Sequence, residues 1–245
     1  MKEIPDGVRR RMLLRSFLVQ GSWNYETMIG TGFAFTLLPL LRFLHPTDVE
    51  ARRTAMKRHA EIFNSHPYLA TVAIGAVSRL EVDGTPPEVT ERFKSALRSS
   101  LGSLGDRLVW TAWRPASLLL GVLLLLAGAA WWLAVLAFLL VYNAFHFGLR
   151  VWGLRRGVDN GLEVGKVLRS APLEAVIAWT GNAGALFCGA ALVLAIGPSG
   201  GDLVSIASGL AAAAFGLWLG LSSRRVLAPA VGLAWIFAIV WGMMP

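Results

Sequence analysis

Charge is what this sequence has least of. Only 16% of its 245 residues are Asp, Glu, Lys or Arg, against about 25% in soluble domains, and none lies between Pro115 and Phe147. That uncharged run is longer than the roughly 20 residues one membrane-crossing helix needs. Cysteine is nearly absent as well. Cys188 stands alone inside an apolar run, which excludes a disulfide framework or a thiolate metal cluster within one chain. There is no HExxH. His59 and His66 lie seven positions apart, about 10 Å along a helix, too far for one zinc at Zn–N distances of about 2 Å. Neither a metal nor a cofactor is expected. The GxxxxGK[ST] loop that cradles nucleotide phosphates is missing too. The opening MKEIPDGVRRRMLLR mixes acids with its bases, and Arg15 cuts the apolar run short, so no cleavable signal peptide is expected.

What is there is apolar and aromatic: 55% hydrophobic residues, ten tryptophans and a mean hydropathy of +0.57. The net charge is +8 and unevenly spread. Residues 1–114 hold 16 Lys/Arg and 11 Asp/Glu; residues 115–245 hold 7 and 4. The arginines sit beside apolar segments, which suits an anionic membrane surface and not nucleic acid. The composition predicts an all-α, polytopic integral membrane protein. Residues 1–114 are expected to be amphipathic and re-entrant helices, and residues 115–245 about five transmembrane helices.

The segment of residues 16–44 combines an apolar run with Gln20, Ser22, Trp23, Asn24, Tyr25 and Glu26 near its start, followed by Gly30 and Gly32. Polar groups at membrane depth face a bundle interior or a hydrated cavity, and glycine-interrupted apolar segments mark solute sites in transporters. The alternative is an amphipathic surface helix with an ordinary polar face. His45-Pro46 ends the run. Thr47-Asp48-Val49-Glu50 has capping-box spacing with Thr47 as the cap, opening a helix with Val49, Met56, Ala60 and Phe63 on one face. Pro67 stops or kinks that helix, with Asn64-Ser65-His66 at the break. Tyr68–Leu80 is too short to cross the membrane and reads as re-entrant or tilted. Thr85-Pro86-Pro87-Glu88 predicts a second capped helix with the row Val89, Phe93, Leu97, Leu101 and Leu104, ended by Gly102 and Gly105 before Asp106.

Within the uncharged run, Gly128-Ala129-Ala130-Trp131-Trp132 suggests a tight helical hairpin, one long tilted helix being the alternative. Leu173–Ile196, Leu203–Leu221 and Val226–Met244 are three further spans. Placing the basic regions around Arg107 and Arg114, Arg150 to Arg169, and Arg224-Arg225 in the cytoplasm puts the N-terminus inside and the C-terminus outside.

The residues offer no clear nucleophile constellation. Glu26 with a histidine could handle protons, and Ser22 with His66 could be drawn as a nucleophile and base, as could many pairs in any chain. The set Gln20, Trp23, Asn24, Glu26, Asn64, His66 and Asp106 joins amides, acids and an aromatic face at helix breaks, the groups a sugar requires. The competing reading is that Asn24 and Asn64 cap or cross-link helices.

Three ordered motifs, FLVQGSWNYETMIGTGFAFTLLPLLRFLHP, RHAEIFNSHPYLA and LGDRLVWTAWRP, resemble the enzyme IID component of the mannose/fructose/sorbose phosphotransferase family. The resemblance covers residues 8–245 as a single domain. It implies an inner-membrane subunit that pairs with a IIC subunit to form the translocation path and sugar site, commonly as a trimer of IIC–IID units. Cytoplasmic IIB and IIA carriers then pass phosphate to the incoming hexose, so this chain is a non-catalytic subunit. The family-like site positions are Gln20, Trp23, Asn24, Glu26, Asn64 and Asp106, with Arg114 and Pro115 structural. The chain departs from the pattern at Arg107, where proline is usual, and at Arg79-Leu80-Glu81, where Glu-Glu is common. A non-transporting scaffold that kept the fold, and a stand-alone intramembrane enzyme using Glu26, are the competing functions.

Overall fold

The structure, a computed structural model, describes residues 3–196. Every regular element among them is helical, with two isolated β-bridges besides. In chain order the helices are α1 (Asp6–Ser16), α2 (Gly30–Leu44), α3 (Val49–Ala60), α4 (Ala70–Val82), α5 (Pro87–Gly105), α6 (Arg114–Leu126), α7 (Trp131–Asn160), α8 (Val164–Ser170) and α9 (Leu173–Ile196). A π-helical segment, Asp106–Trp113, joins α5 to α6, and a 3-10 turn, Gly161–Glu163, leads into α8. Among the described residues, three helical stretches are long and apolar enough to cross a membrane: Pro87–Leu126, Trp131–Ser170 and Leu173–Leu192. The spans expected at Leu203–Leu221 and Val226–Met244, with the turn before them, lie outside the described residues.

The chain forms two compact units, one of Met1–Arg107 with Asn143–Leu173, the other of Leu108–Tyr142 with Glu174–Pro245. In the first, α1 buries Val8, Met12 and Ser16, a row spaced by four residues that matches the helical repeat. The row on α2 comprises Phe33, Leu37, Leu40 and Leu41, all without exposure. From Ala70 to Leu80, α4 is buried on every side, as a helix apolar all round must be. Three glycines seat it against α7. A Cβ on Gly75 would lie 2.4 Å from Leu154 O, and one on Gly157 2.3 Å from Val72 O. Gly153 meets Thr71 and Val72 in the same way. The Gly153-x-x-x-Gly157 spacing is the small-residue pattern that lets helix backbones touch. In the second unit the predicted hairpin is present. Gly128 turns the chain with φ +87°, and a Cβ on Gly121 would lie 3.3 Å from Ala134 O across the pair.

Several local expectations are corrected. Asp48, not Thr47, caps α3, its carboxylate accepting from Ala51 N at 2.8 Å. The buried face of α3 carries Ala55 and His59, with Val49 exposed. The helix stops at Ala60, seven residues before Pro67. No side chain caps α5, whose inward row is Thr90, Lys94, Leu97 and Leu101. α5 ends at Gly105, just before Asp106, as expected, although Gly102 lies inside it and the chain stays helical through the π segment. The reason for glycine at 105 is space: a Cβ there would lie 2.2 Å from His66 Cβ.

Candidate functional site

The segment between α1 and α2 folds as a chain of tight turns, with Leu18 N donating to Arg15 O, Gly21 N to Leu18 O and Trp23 N to Gln20 O. Asn24 organises the last of them. Its Oδ1 accepts from the backbone N–H groups of Glu26 and Thr27, both at 2.9 Å. Its Nδ2 donates to Ser22 O at 3.1 Å and to Thr27 Oγ1 at 2.8 Å. Two donors and two acceptor positions are all that an amide side chain has, so Asn24 is fully committed to its own turn. The turn closes at Met28, which pairs with Asn24 and adopts φ +55°. A non-glycine residue there is uncommon and is held by its surroundings.

Those surroundings are the second motif. Phe63 N donates to Thr27 O and Ile29 N to Phe63 O, both at 3.1 Å. The Phe63 ring lies 4.7 Å from that of Phe33 on α2. The start of α2 fits between neighbouring backbones because its motif glycines have no side chain. A Cβ on Gly30 would fall 2.2 Å from Glu61 O, and one on Gly32 1.9 Å from Val19 O. The third motif arrives through Gly105 against His66, and Gly102, just before it, approaches the same segment with a Cβ position 3.8 Å from Ser65 Cα. The first two motifs and the start of the third, residues 104–107, therefore meet in the first unit.

The site residues expected from sequence lie on the surface of that junction. Gln20, Trp23, Glu26, Asn64 and Asp106 are exposed and Asn24 is half-buried. The side chains of Gln20, Glu26, Asn64 and Asp106 make no hydrogen bond to the described residues, which leaves their polar atoms open to an outside partner. Trp23 and Tyr25, which flank Asn24 in the turn, lie with ring centroids 4.9 Å apart, edge to face, and Tyr25 is 82% exposed. Arg114 lies over the Trp110 ring at 4.7 Å, and Pro115 occupies the first turn of α6, where a missing N–H costs nothing. The structure brings the motif backbones together but forms no direct hydrogen bond among these six side chains.

Two buried polar clusters support the junction, and neither is apparent from the sequence. In one, Arg58 Nη2 donates to Glu81 Oε1 at 2.6 Å and His59 Nε2 to the same oxygen at 3.0 Å. Burial raises the pKa of Glu81, but the hydrogen bonds and charge from His59 and Arg58 outweigh it and hold the carboxyl below its ordinary range. Burial also keeps His59 below its ordinary range despite Glu81. His59 and Arg58 thus converge on one carboxylate oxygen, and both favour the ionised form of Glu81. Lys94 Nζ donates to His59 O at 2.8 Å and lies 4.8 Å over the Phe33 ring, tying α5 to α2 and α3. In the other cluster, Arg150 of α7 bonds Ser16 O and, at 2.7 Å, His146 Nε2. Its guanidinium covers the rings of Phe17 and Tyr68 at 4.9 and 5.1 Å. Tyr68 stacks on His146 at 3.8 Å and meets His66 edge-on. The signals available were Glu81, in the Arg79-Leu80-Glu81 departure from the family pattern, and Arg150, the first charge after the uncharged run.

Residues 3–196 match the family model for the PTS system mannose/fructose/sorbose family IID component. The chain belongs to this family. Among curated IID proteins, the PTS system mannose-specific EIID component of Escherichia coli K12 is 32% identical over 170 residues, covering 67% of this chain and 59% of that protein. The sorbose-specific EIID component of Klebsiella pneumoniae is 31% identical over 168 residues, covering 66% and 60%. The matched region thus spans about three fifths of these relatives. A chain in the cryo-EM structure of the mannose transporter ManYZ with microcin E492 superposes with a TM-score of 0.62 at 25% identity, covering 99% of this chain and 98% of that one. Another, described as a membrane protein, gives 0.68 at 31% identity over 78% and 71%. With its long apolar helices, this IID chain is a membrane protein.

Proposed function

We propose that this IID chain is the membrane subunit of a sugar permease, forming with a IIC subunit the translocation path and sugar site for a hexose of the mannose/fructose/sorbose class. Uptake is coupled to phosphorylation, with phosphoryl transfer carried out on IIB and IIA. Residues 1–114 supply the site motifs and residues 115–245 the spanning helices, in the bacterial inner membrane, with the N-terminus cytoplasmic and the C-terminus outside. IIC–IID pairs assemble as trimers. One observation carries this reading: the first two motifs and the start of the third are joined through their backbones, and the unit they build exposes Trp23 and Tyr25 and leaves the side chains of Gln20, Glu26, Asn64 and Asp106 exposed and without a hydrogen bond to the described residues. Amides and carboxylates bind sugar hydroxyls, and an aromatic face takes the C–H side of the ring. Their exposure in the isolated chain fits a site whose other wall belongs to IIC. Asn24 serves it by shaping the turn that carries Trp23, Tyr25 and Glu26.

The test is uptake and phosphorylation of a small hexose panel by cells co-expressing this chain with IIC, IIB and IIA partners and lacking their own permease. Glu26→Gln should abolish uptake while co-purification with IIC persists. Normal uptake by that variant removes Glu26 from the site. Intact assembly with no uptake of any sugar by the wild-type chain assigns it to the scaffold role instead.

A further inference from the structure

The first unit contains a cleft that the sugar-site reading leaves unused. It lies between α1 and α2, has a volume of about 270 Å³ and is lined by Val8, Arg11, Arg15, Pro39, Arg42 and Phe43. Half of that lining is guanidinium, and none of the three arginines is ion-paired to a carboxylate among the described residues.

The position of Arg15 is fixed by a break in the neighbouring helix. Pro39 has no N–H, so the carbonyl of Phe35 four residues earlier loses its helical partner. Arg15 Nη1 donates to that oxygen at 3.0 Å, and its guanidinium rests over the Phe35 ring at 4.5 Å. Arg11 is steadied by its bond to Gly7 O at 3.1 Å, whereas Arg42 makes no side-chain hydrogen bond to the described residues. Partial burial, then the charges of Arg42 and Arg11, lower the pKa of Arg15: like charges have been gathered at one place, and an anion between them would relieve the repulsion. Val8 and Pro39, both buried or nearly so, and the half-buried Phe43 supply an apolar wall.

We propose that this cleft binds the headgroup phosphate of an anionic phospholipid, with the guanidiniums of Arg11, Arg15 and Arg42 on the phosphate and an acyl chain against Val8, Pro39 and Phe43. Guanidinium matches phosphate oxygens in charge and in fork geometry. A free inorganic anion would use the arginines and gain nothing from the apolar half of the cleft; an amphiphile uses both. The inference is independent of which sugar, if any, the chain helps to carry.

The full chain, purified in an uncharged detergent, is titrated with phosphatidylglycerol, with phosphatidylcholine of the same acyl chains, and with inorganic phosphate. Thermal unfolding and native mass spectrometry are the readouts. Saturable stabilisation and a retained one-lipid adduct with phosphatidylglycerol alone are expected. Arg42→Gln leaves the hydrogen bonds of the described residues intact and should weaken that binding about tenfold, as loss of one charge-assisted bond does. Equal stabilisation by phosphatidylcholine, an equal effect of inorganic phosphate at the same concentration, or unchanged affinity in Arg42→Gln would each overturn the proposal.

Discussion

The imidazole of His66 occupies the space that any side chain at position 105 would need: a Cβ on Gly105 would lie 2.2 Å from His66 Cβ and 2.5 Å from its Cγ. Neither atom is the mobile end of a long side chain, so accommodation requires backbone movement of the 61–69 segment or of α5. Gly105→Ala should destabilise the chain by about 1–3 kcal/mol, the range for overpacking. Adding His66→Gly should recover part of that loss, visible as a positive coupling in a double-mutant cycle of unfolding midpoints. Purely additive effects would mean that the two residues do not share this space.

Glu81 is expected to matter more to stability than its place on a surface-seeking Arg-Leu-Glu sequence suggests. Replacing it with Gln removes the charge that answers Arg58 and leaves that guanidinium largely buried. Breaking a buried pair from one side costs about 3 kcal/mol or more. Chemical denaturation of detergent-purified Glu81→Gln should show a loss of that order, whereas Glu50→Gln, whose partner Arg53 is exposed at 3.8 Å, should show close to none.

Acidification should loosen the fold through His66. Burial, followed by the charges of Arg150 and His146, pushes its pKa down to about 4, and Nδ1 is occupied as an acceptor from Tyr68 N at 3.2 Å. An unfolded histidine titrates near about 6.5. Between those values the unfolded chain takes up a proton that the native chain refuses. The stabilisation is fully present above about pH 6.5 and is lost progressively as the pH falls towards 4, amounting to about 3 kcal/mol. The depressed pKa of His59 acts in the same direction. Unfolding midpoints measured from about pH 4 to 7 should therefore fall on the acid side, and His66→Gln should flatten that slope.

Asn24 and Glu26 should fail differently. Asn24→Ala deletes four hydrogen bonds within one turn and should lower both stability and uptake. Glu26→Gln alters a carboxylate that bonds none of the described residues and should lower uptake alone. Thermal unfolding measured alongside sugar uptake separates the two, and a stability loss in Glu26→Gln would contradict its open position.

Much of this was legible in the sequence where one physical rule dominated. The uncharged run with glycine at its centre is too long for one span and folds as a hairpin, and Leu173–Ile196 emerges with the predicted bounds. The motif residues stood out in the sequence because polar groups beside glycines at helix breaks are unusual in an apolar run. The α3 cap was missed by one residue at Thr47 and Asp48, since either side chain can accept an N–H of the first turn. Gly105 does stand at the end of α5, but glycine serves equally as a stop signal and as a place of close approach, and only the partner His66, far away in the chain, reveals the second role. The buried clusters were invisible for the same reason. Arg58, Glu81 and Lys94 read as solvated charges until tertiary contact supplies their counterparts.

The crossing of α4 with α7 has a mechanical meaning. Where carbonyl oxygens and amide nitrogens of two rods lie within a methyl group's reach, as at Gly75 and Gly157, there is no lubricating layer of flexible side chains. Such a joint neither slides nor rolls by small increments. The first unit is therefore expected to respond to load as one stiff plate, with the crossing of α4 and α7 held fixed.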